Sequence, residues 1–225
     1  MEKLIDYDML LQEHEWMEYY IKNMKNYNVN TAFDHAISSR EEFYDNKKQV
    51  NMFAHNGMHE LFREYIVLGG MPEVINEFLS SNNFNVALNI QKEILDGYRD
   101  DIIKYAPADE KVKIRACFDS IPVQLAKDNK KFKYNLVQKK ADKSKLFNSL
   151  EWLYDAGIIN FCYNLRNPEA PLEGNKIIDS FKVYMKDTGL LMAMMDEGSQ
   201  LEIINGNLGI YKGAIYENII ADVFT

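Results

Sequence analysis

The stretch SKLFNSLEWLYDAGIINFCYNL, residues 144 to 165, changes its hydrophobic period half-way along. Leu146, Leu150, Leu153 and Tyr154 recur at helical spacing, which predicts a helix over 144 to 156 with these four turned inward. Gly157 follows as a left-handed C-cap, since glycine takes a positive φ without a Cβ penalty. Beyond it Ile159, Phe161, Tyr163 and Leu165 alternate with other residues, the period of a strand. Phe181, Val183 and Met185 alternate in the same way, so two strands joined by a long loop over 166 to 179 are expected.

Upstream of this stretch, Asp109 is placed to cap a helix carrying Val112, Ile114, Cys117, Phe118 and Ile121, which Pro122 bends or restarts. Residues 132 to 137 read as a short extended piece. Helix, extended piece, helix and strand pair is the order of a winged helix. The expected fold class is therefore mainly α: a helical region over 1 to 107, a winged-helix module over 108 to 188, and a further unit begun over 189 to 225. In that last part residues 189 to 195 read as a short helix, 196 to 209 as a loop and 213 to 224 as an amphipathic helix.

Within the helical region, amphipathic spacing predicts a helix over 7 to 25, a weaker one over 32 to 44 and a loop over 45 to 51. An apolar stripe of Leu61, Phe62, Tyr65 and Ile66 stops at Gly69-Gly70, and Pro72 opens the next helix. Val86, Ile90, Ile94, Tyr98 and Ile102 then recur every four residues, with Asn83 or Asn85 as N-cap.

Composition bounds the function. The chain has 225 residues, 47% of them hydrophobic, enough for a core of one large or two small domains. Its apolar runs are too short to cross a membrane and its start lacks the pattern of a secretory signal, so no membrane contact and a cytoplasmic location are expected. Cys117 and Cys162 lie too far apart for a metal knuckle, and both are expected to be buried thiols. A net charge of −8 argues against a nucleic-acid clamp built from the whole surface.

Locally the balance reverses. Residues 127 to 145 hold eight lysines against Asp128 and Asp142. Lys130, Lys131, Lys133, Lys143, Ser144, Lys145 and Asn148 are the candidate nucleic-acid contacts, the last four at the start of the helix that would enter a groove. Against that reading, Glu151 and Asp155 share the helix, and the loop between the strands carries Glu169, Glu173 and Asp179. A charged run is more often a solvated face, and carboxylates repel phosphate.

Other candidates have plainer readings. His55 and His59 stand four apart, but no third metal ligand lies near them in sequence. Gly69-Gly70 is expected to be a helix–helix corner, and Asp187-Thr188-Gly189 an N-cap. Arg63, Glu64, Arg99, Asp100 and Asp101 are expected to form surface ion pairs.

Four segments in order, HELFREYIVLGGMPEV (59 to 74), SLEWLYDAGII (149 to 159), VYMKDTGLL (183 to 191) and GAIYENIIADVF (213 to 224), resemble the prokaryotic AAA-type P-loop ATPases that carry domain of unknown function 4143. The resemblance runs from about residue 43 to the end. It implies an ATP- and Mg²⁺-binding domain upstream, then a helical lid, a winged helix and the start of a nuclease-like region that opens with Gly-x-x-x-Glu-Asn. The chain has no GxxxxGK[ST], so its own residues offer no phosphate cradle and no cofactor is expected on them. Glu217 stands at the nuclease-like position as a single carboxylate, and a catalytic metal needs several oxygen ligands. The expected role is a non-catalytic section of an ATP-driven protein, with DNA or a protein partner on the winged helix. The alternatives are an interaction or self-association module without DNA binding, and an incomplete nuclease-like protein. Apolar faces left open around Tyr19 to Met24 and around Ile215 to Ile220 would fit an internal piece of a larger protein.

Overall fold

A computed structural model describes residues 52–127, 129–195, 198–207, 209 and 212–224. The expected helices over 7 to 25 and 32 to 44, and the loop after them, lie outside the described residues, as does the side chain of His55. The architecture is mainly helical with one small antiparallel sheet. Helices α1 (Met52–Leu68), α2 (Pro72–Ser81) and α3 (Phe84–Tyr105) come first. Next are α4 (Lys111–Leu125), the single turn α5 (Tyr134–Val137) and α6 (Lys143–Asp155). Strand β1 (Ile159–Leu165), the turn α7 (Leu172–Asn175) and strand β2 (Lys176–Met185) make the sheet. Helices α8 (Thr188–Ala193), α9 (Ser199–Ile204) and α10 (Lys212–Val223) close the described chain.

Local chemistry accounts for most boundaries. Pro72 occupies the first turn of α2, where its missing N–H costs nothing. Asn83 caps α3 by accepting from the Asn85 N–H at 2.9 Å, and Gly157 takes φ 73° after α6. Asp109 does not cap α4. The helix starts one residue later, after Glu110, whose carboxylate is drawn away to Lys113 and to the Ser149 hydroxyl. Pro122 does not restart the helix, since α4 runs through it to Leu125.

In the sheet Ile159 pairs with Met185 and Tyr163 with Phe181, and an irregularity after Tyr163 brings Leu165 opposite Lys176. The loop expected over 166 to 179 is thus shorter, because α7 and the first part of β2 take up its second half. The extended piece expected over 132 to 137 is also short. Phe132 N–H donates to Phe181 O at 2.9 Å, and the chain then coils into α5.

The largest apolar cluster joins Leu95 and Ile102 of α3 to Ile114, Phe118 and Ile121 of α4, Leu146, Leu150 and Leu153 of α6, and Phe181 and Val183 of β2. On α3 the fully buried line is Ala87, Gln91, Leu95 and Ile102, while Ile90, Ile94 and Tyr98 flank it. A buried glutamine inside that line is why apolar spacing alone finds its margin. Tyr154 is exposed rather than inward, its ring leaning on Phe161 at 5.5 Å. Val112 is exposed on the outer side of α4.

Cys162 corrects another expectation. Strand alternation puts Phe161 and Tyr163 on the face towards α6 and Cys162 on the opposite face, where it is exposed. Cys117 is buried as expected, and burial pushes its thiol up to about 12. The loop expected over 196 to 209 contains α9, held because Ile203 packs with Ile66, Val67, Met192 and Ile215. On α10, Ile215 and Ile219 are covered and only Ile220 of that group is open, so the apolar face expected there is mostly filled.

Candidate functional site

The lysine-rich segment is tied down by one glutamine. Gln124, at the end of α4, donates to Lys133 O and accepts from the Lys133 N–H, both at 3.0 Å. This pair of bonds holds Phe132 in the core, so its neighbours Lys131 and Lys133 turn outward. Lys130 does not join them. Its ammonium reaches Glu217 at 3.1 Å and the side chain is only 14% exposed.

Helix α6 carries the other candidates. Lys143 is taken by Asp179 of β2 at 2.8 Å and lies over the Phe147 ring. That ammonium holds the Asp179 carboxyl below the usual carboxylate range. The Ser144 hydroxyl donates to Asp142 at 2.7 Å and is the main reason the Asp142 pKa is lowered. Lys145 leans back on Lys140 O at 3.3 Å, and Asn148 is exposed. The outward line of α6 is therefore Ser144, Asn148, Glu151 and Asp155, all exposed and ending in two acids.

Glu217 is not a lone acid. One carboxylate oxygen accepts from Lys130, and the other from Lys182 at 2.7 Å and from the Tyr184 hydroxyl at 2.9 Å. Burial alone would raise its pKa, but the bonds from Lys182, Lys130 and Tyr184 outweigh that and lower it. Next to it Asn218 accepts from the Met185 N–H at 2.9 Å and donates to Met185 O at 3.0 Å and to the Thr188 hydroxyl at 3.1 Å. The Glu-Asn pair thus binds α10 to the end of β2. Among the described residues no three His, Cys, Asp or Glu side chains gather to hold a metal ion. Arg99 pairs with Asp96 and Asp119, as a surface helix arginine is expected to do.

The corner at Gly69-Gly70 and the N-cap at Asp187, each expected separately, form one contact. Asp187 caps α8 by accepting from the Leu190 N–H at 2.7 Å, and its other oxygen accepts from the Gly70 N–H at 2.6 Å, across 117 residues of chain. Burial pushes this carboxyl up, against the pull of the N–H groups of Gly70, Leu190 and Gly189. A Cβ on Gly189 would overlap the Leu68 carbonyl, and one on Gly69, at φ 70°, would overlap the Asp187 carboxylate. From the other side Gln91 donates to Val67 O at 2.8 Å and Leu68 O at 3.0 Å, serving the carbonyls that end α1. A cavity of about 230 Å³ lies beside the corner, lined by Tyr65, Met71, Tyr98, Lys186 and Asp187 among others.

A family model described as Domain of unknown function (DUF8612) matches residues 59–201. The chain belongs to this family. The matched span of DUF8612 takes in both sides of the Asp187 corner, the lysine-rich segment, α6 and the whole sheet. It stops before α10, so Glu217 lies outside it. No curated protein and no solved structure matches the chain.

Proposed function

We propose that this chain is a non-catalytic section of an AAA-type, ATP-driven protein, in which a winged helix formed by α4, α6 and the β1–β2 pair contacts a protein partner and relays nucleotide-dependent movement to it. ATP and Mg²⁺ would bind outside these residues. The winged-helix reading is supported by the bond from Phe132 N–H to Phe181 O, which gives the segment after α4 the place of a third strand beside β2. The AAA-type reading rests on the four co-linear segments. No described helix is long and apolar enough to cross a membrane.

The observation that carries a protein partner over DNA is the fate of the charges. Lys130 and Lys143 are spent on Glu217 and Asp179, and the exposed line of α6 ends in Glu151 and Asp155. Phosphate binding draws on accessible cations, and a carboxylate pair at the same surface opposes it. Electrophoretic retardation of double- and single-stranded DNA tests this. The expected result is no retardation at low salt. Salt-sensitive retardation that Lys131→Glu/Lys145→Glu abolishes would replace the protein partner with nucleic acid.

A further inference from the structure

We infer that residues 131 to 140, in the connection from α4 to α6, form the docking surface for an acidic stretch of the partner protein, with carboxylates on Lys131, Lys133, Lys139 and Lys140 and an aliphatic side chain against Leu136. The inference rests on the protein-partner reading above and names the chemistry of that partner.

These ten residues hold four lysines and no acid, in a chain with 34 acidic residues against 26 basic ones. All four lysines are exposed, and none has an ion pair among the described residues. Elsewhere a lysine readily finds a carboxylate: Lys113, Lys130, Lys143, Lys176 and Lys182 each reach one within 3.1 Å. Uncompensated positive charge is therefore concentrated on one short segment, which draws a negatively charged partner.

The segment is also held in shape. Gln124 clamps Lys133 at its start, and Leu136 N–H donates to Lys133 O at 3.0 Å. Gln138 N–H then donates to Tyr134 O at 3.2 Å and Ala141 N–H to Gln138 O at 3.0 Å. Successive turns present the lysines from a fixed backbone, which lowers the ordering cost of binding. Lys140 stands at φ 61°, a left-handed conformation that glycine takes freely and a residue with a Cβ takes at a cost. What the lysine adds there is a second cation beside Lys139.

Leu136 is 38% exposed and lies in sequence between the pair Lys131 and Lys133 and the pair Lys139 and Lys140. An apolar spot among cations fits an acidic peptide with an aliphatic residue, whereas a phosphate backbone has nothing to cover it. A duplex seated on α6 would also meet Glu151 and Asp155, while a short peptide needs only the turn before that helix.

The test is fluorescence anisotropy of a labelled peptide, Glu-Glu-Leu-Glu-Glu-Leu-Glu-Glu, titrated with the 225-residue chain. Labelled double-stranded DNA is titrated in parallel, and the chain alone is sedimented. The expected result is saturable peptide binding with a Kd on the order of 100 μM, weakened by salt and absent when glutamine replaces glutamate in the peptide. Lys139→Glu/Lys140→Glu, both at exposed side chains, should abolish it with the fold kept. Leu136→Ser should weaken it roughly threefold. Lys140→Gly should weaken it roughly two- to fivefold, the range of an exposed ion pair, without lowering the unfolding midpoint, since glycine relieves the left-handed position.

A peptide that does not bind, or that Lys139→Glu/Lys140→Glu binds equally well, would overturn the inference and leave the protein-partner reading in place. Salt-sensitive DNA binding would overturn both. Self-association that the same double change abolishes would overturn the inference by giving the surface to a second copy of the chain.

Discussion

At Asp187 one carboxylate serves the first turn of α8 and the far corner at Gly70. Its removal leaves buried N–H groups without an acceptor on both sides. Asp187→Ala is expected to cost roughly 3 kcal/mol, the sum of a lost N-cap and an unsatisfied buried donor, measured by denaturant unfolding. Gly189→Ala should cost about as much or more, because the Cβ meets the Leu68 carbonyl, which cannot swing aside as a side chain would. Glu217 sets a different expectation. Its folded pKa lies below the ordinary 4.5, so its ion pairs stabilise the fold above that value and the contribution is lost as pH falls through the lowered one. Wild type should melt above Glu217→Gln near neutral pH and converge with it in acid. With the carboxylate 36% exposed, the gap is worth about 1 kcal/mol or less.

Among the elements, the sheet and α6 are held by rings and not by charges. Phe181 lies within 6.4 Å of the rings of Phe132, Tyr134, Phe147, Phe161 and Tyr163. Phe181→Ala should therefore cost about 3–5 kcal/mol. Lys143→Ala removes the ion pair to Asp179, which is 78% exposed, and should leave the unfolding midpoint unmoved within error. Comparing the two unfolding curves checks the contrast. The strands and α6 are legible in the sequence because their periods are local. Whether Lys143 is free is not, since its partner Asp179 lies 36 residues on, across the sheet.

Over the whole molecule, the main core ignores the division at 107 expected from the sequence order. Leu95, Ile102 and Ala106 pack with α4, α6 and the sheet, and so do Leu190, Leu191 and Ala214 from the other end. Residues 108 to 188 expressed alone should therefore lack the dispersed amide spectrum of a folded protein, and a folded spectrum would show that the remaining apolar contacts suffice. By itself the sequence determined the helical class, the strand pair, the corner at Gly69-Gly70 and the cap at Asp187, since each follows from periodicity or backbone chemistry within a few residues. Only the tertiary structure decided that the corner and the cap are one contact and that Gln91 belongs inside. It also decided that Lys130 and Glu217 neutralise each other and that Cys162 faces out. Those outcomes depend on which polar groups meet after residues far apart in the chain are packed together, and burial makes each polar group find a partner that local pattern does not name.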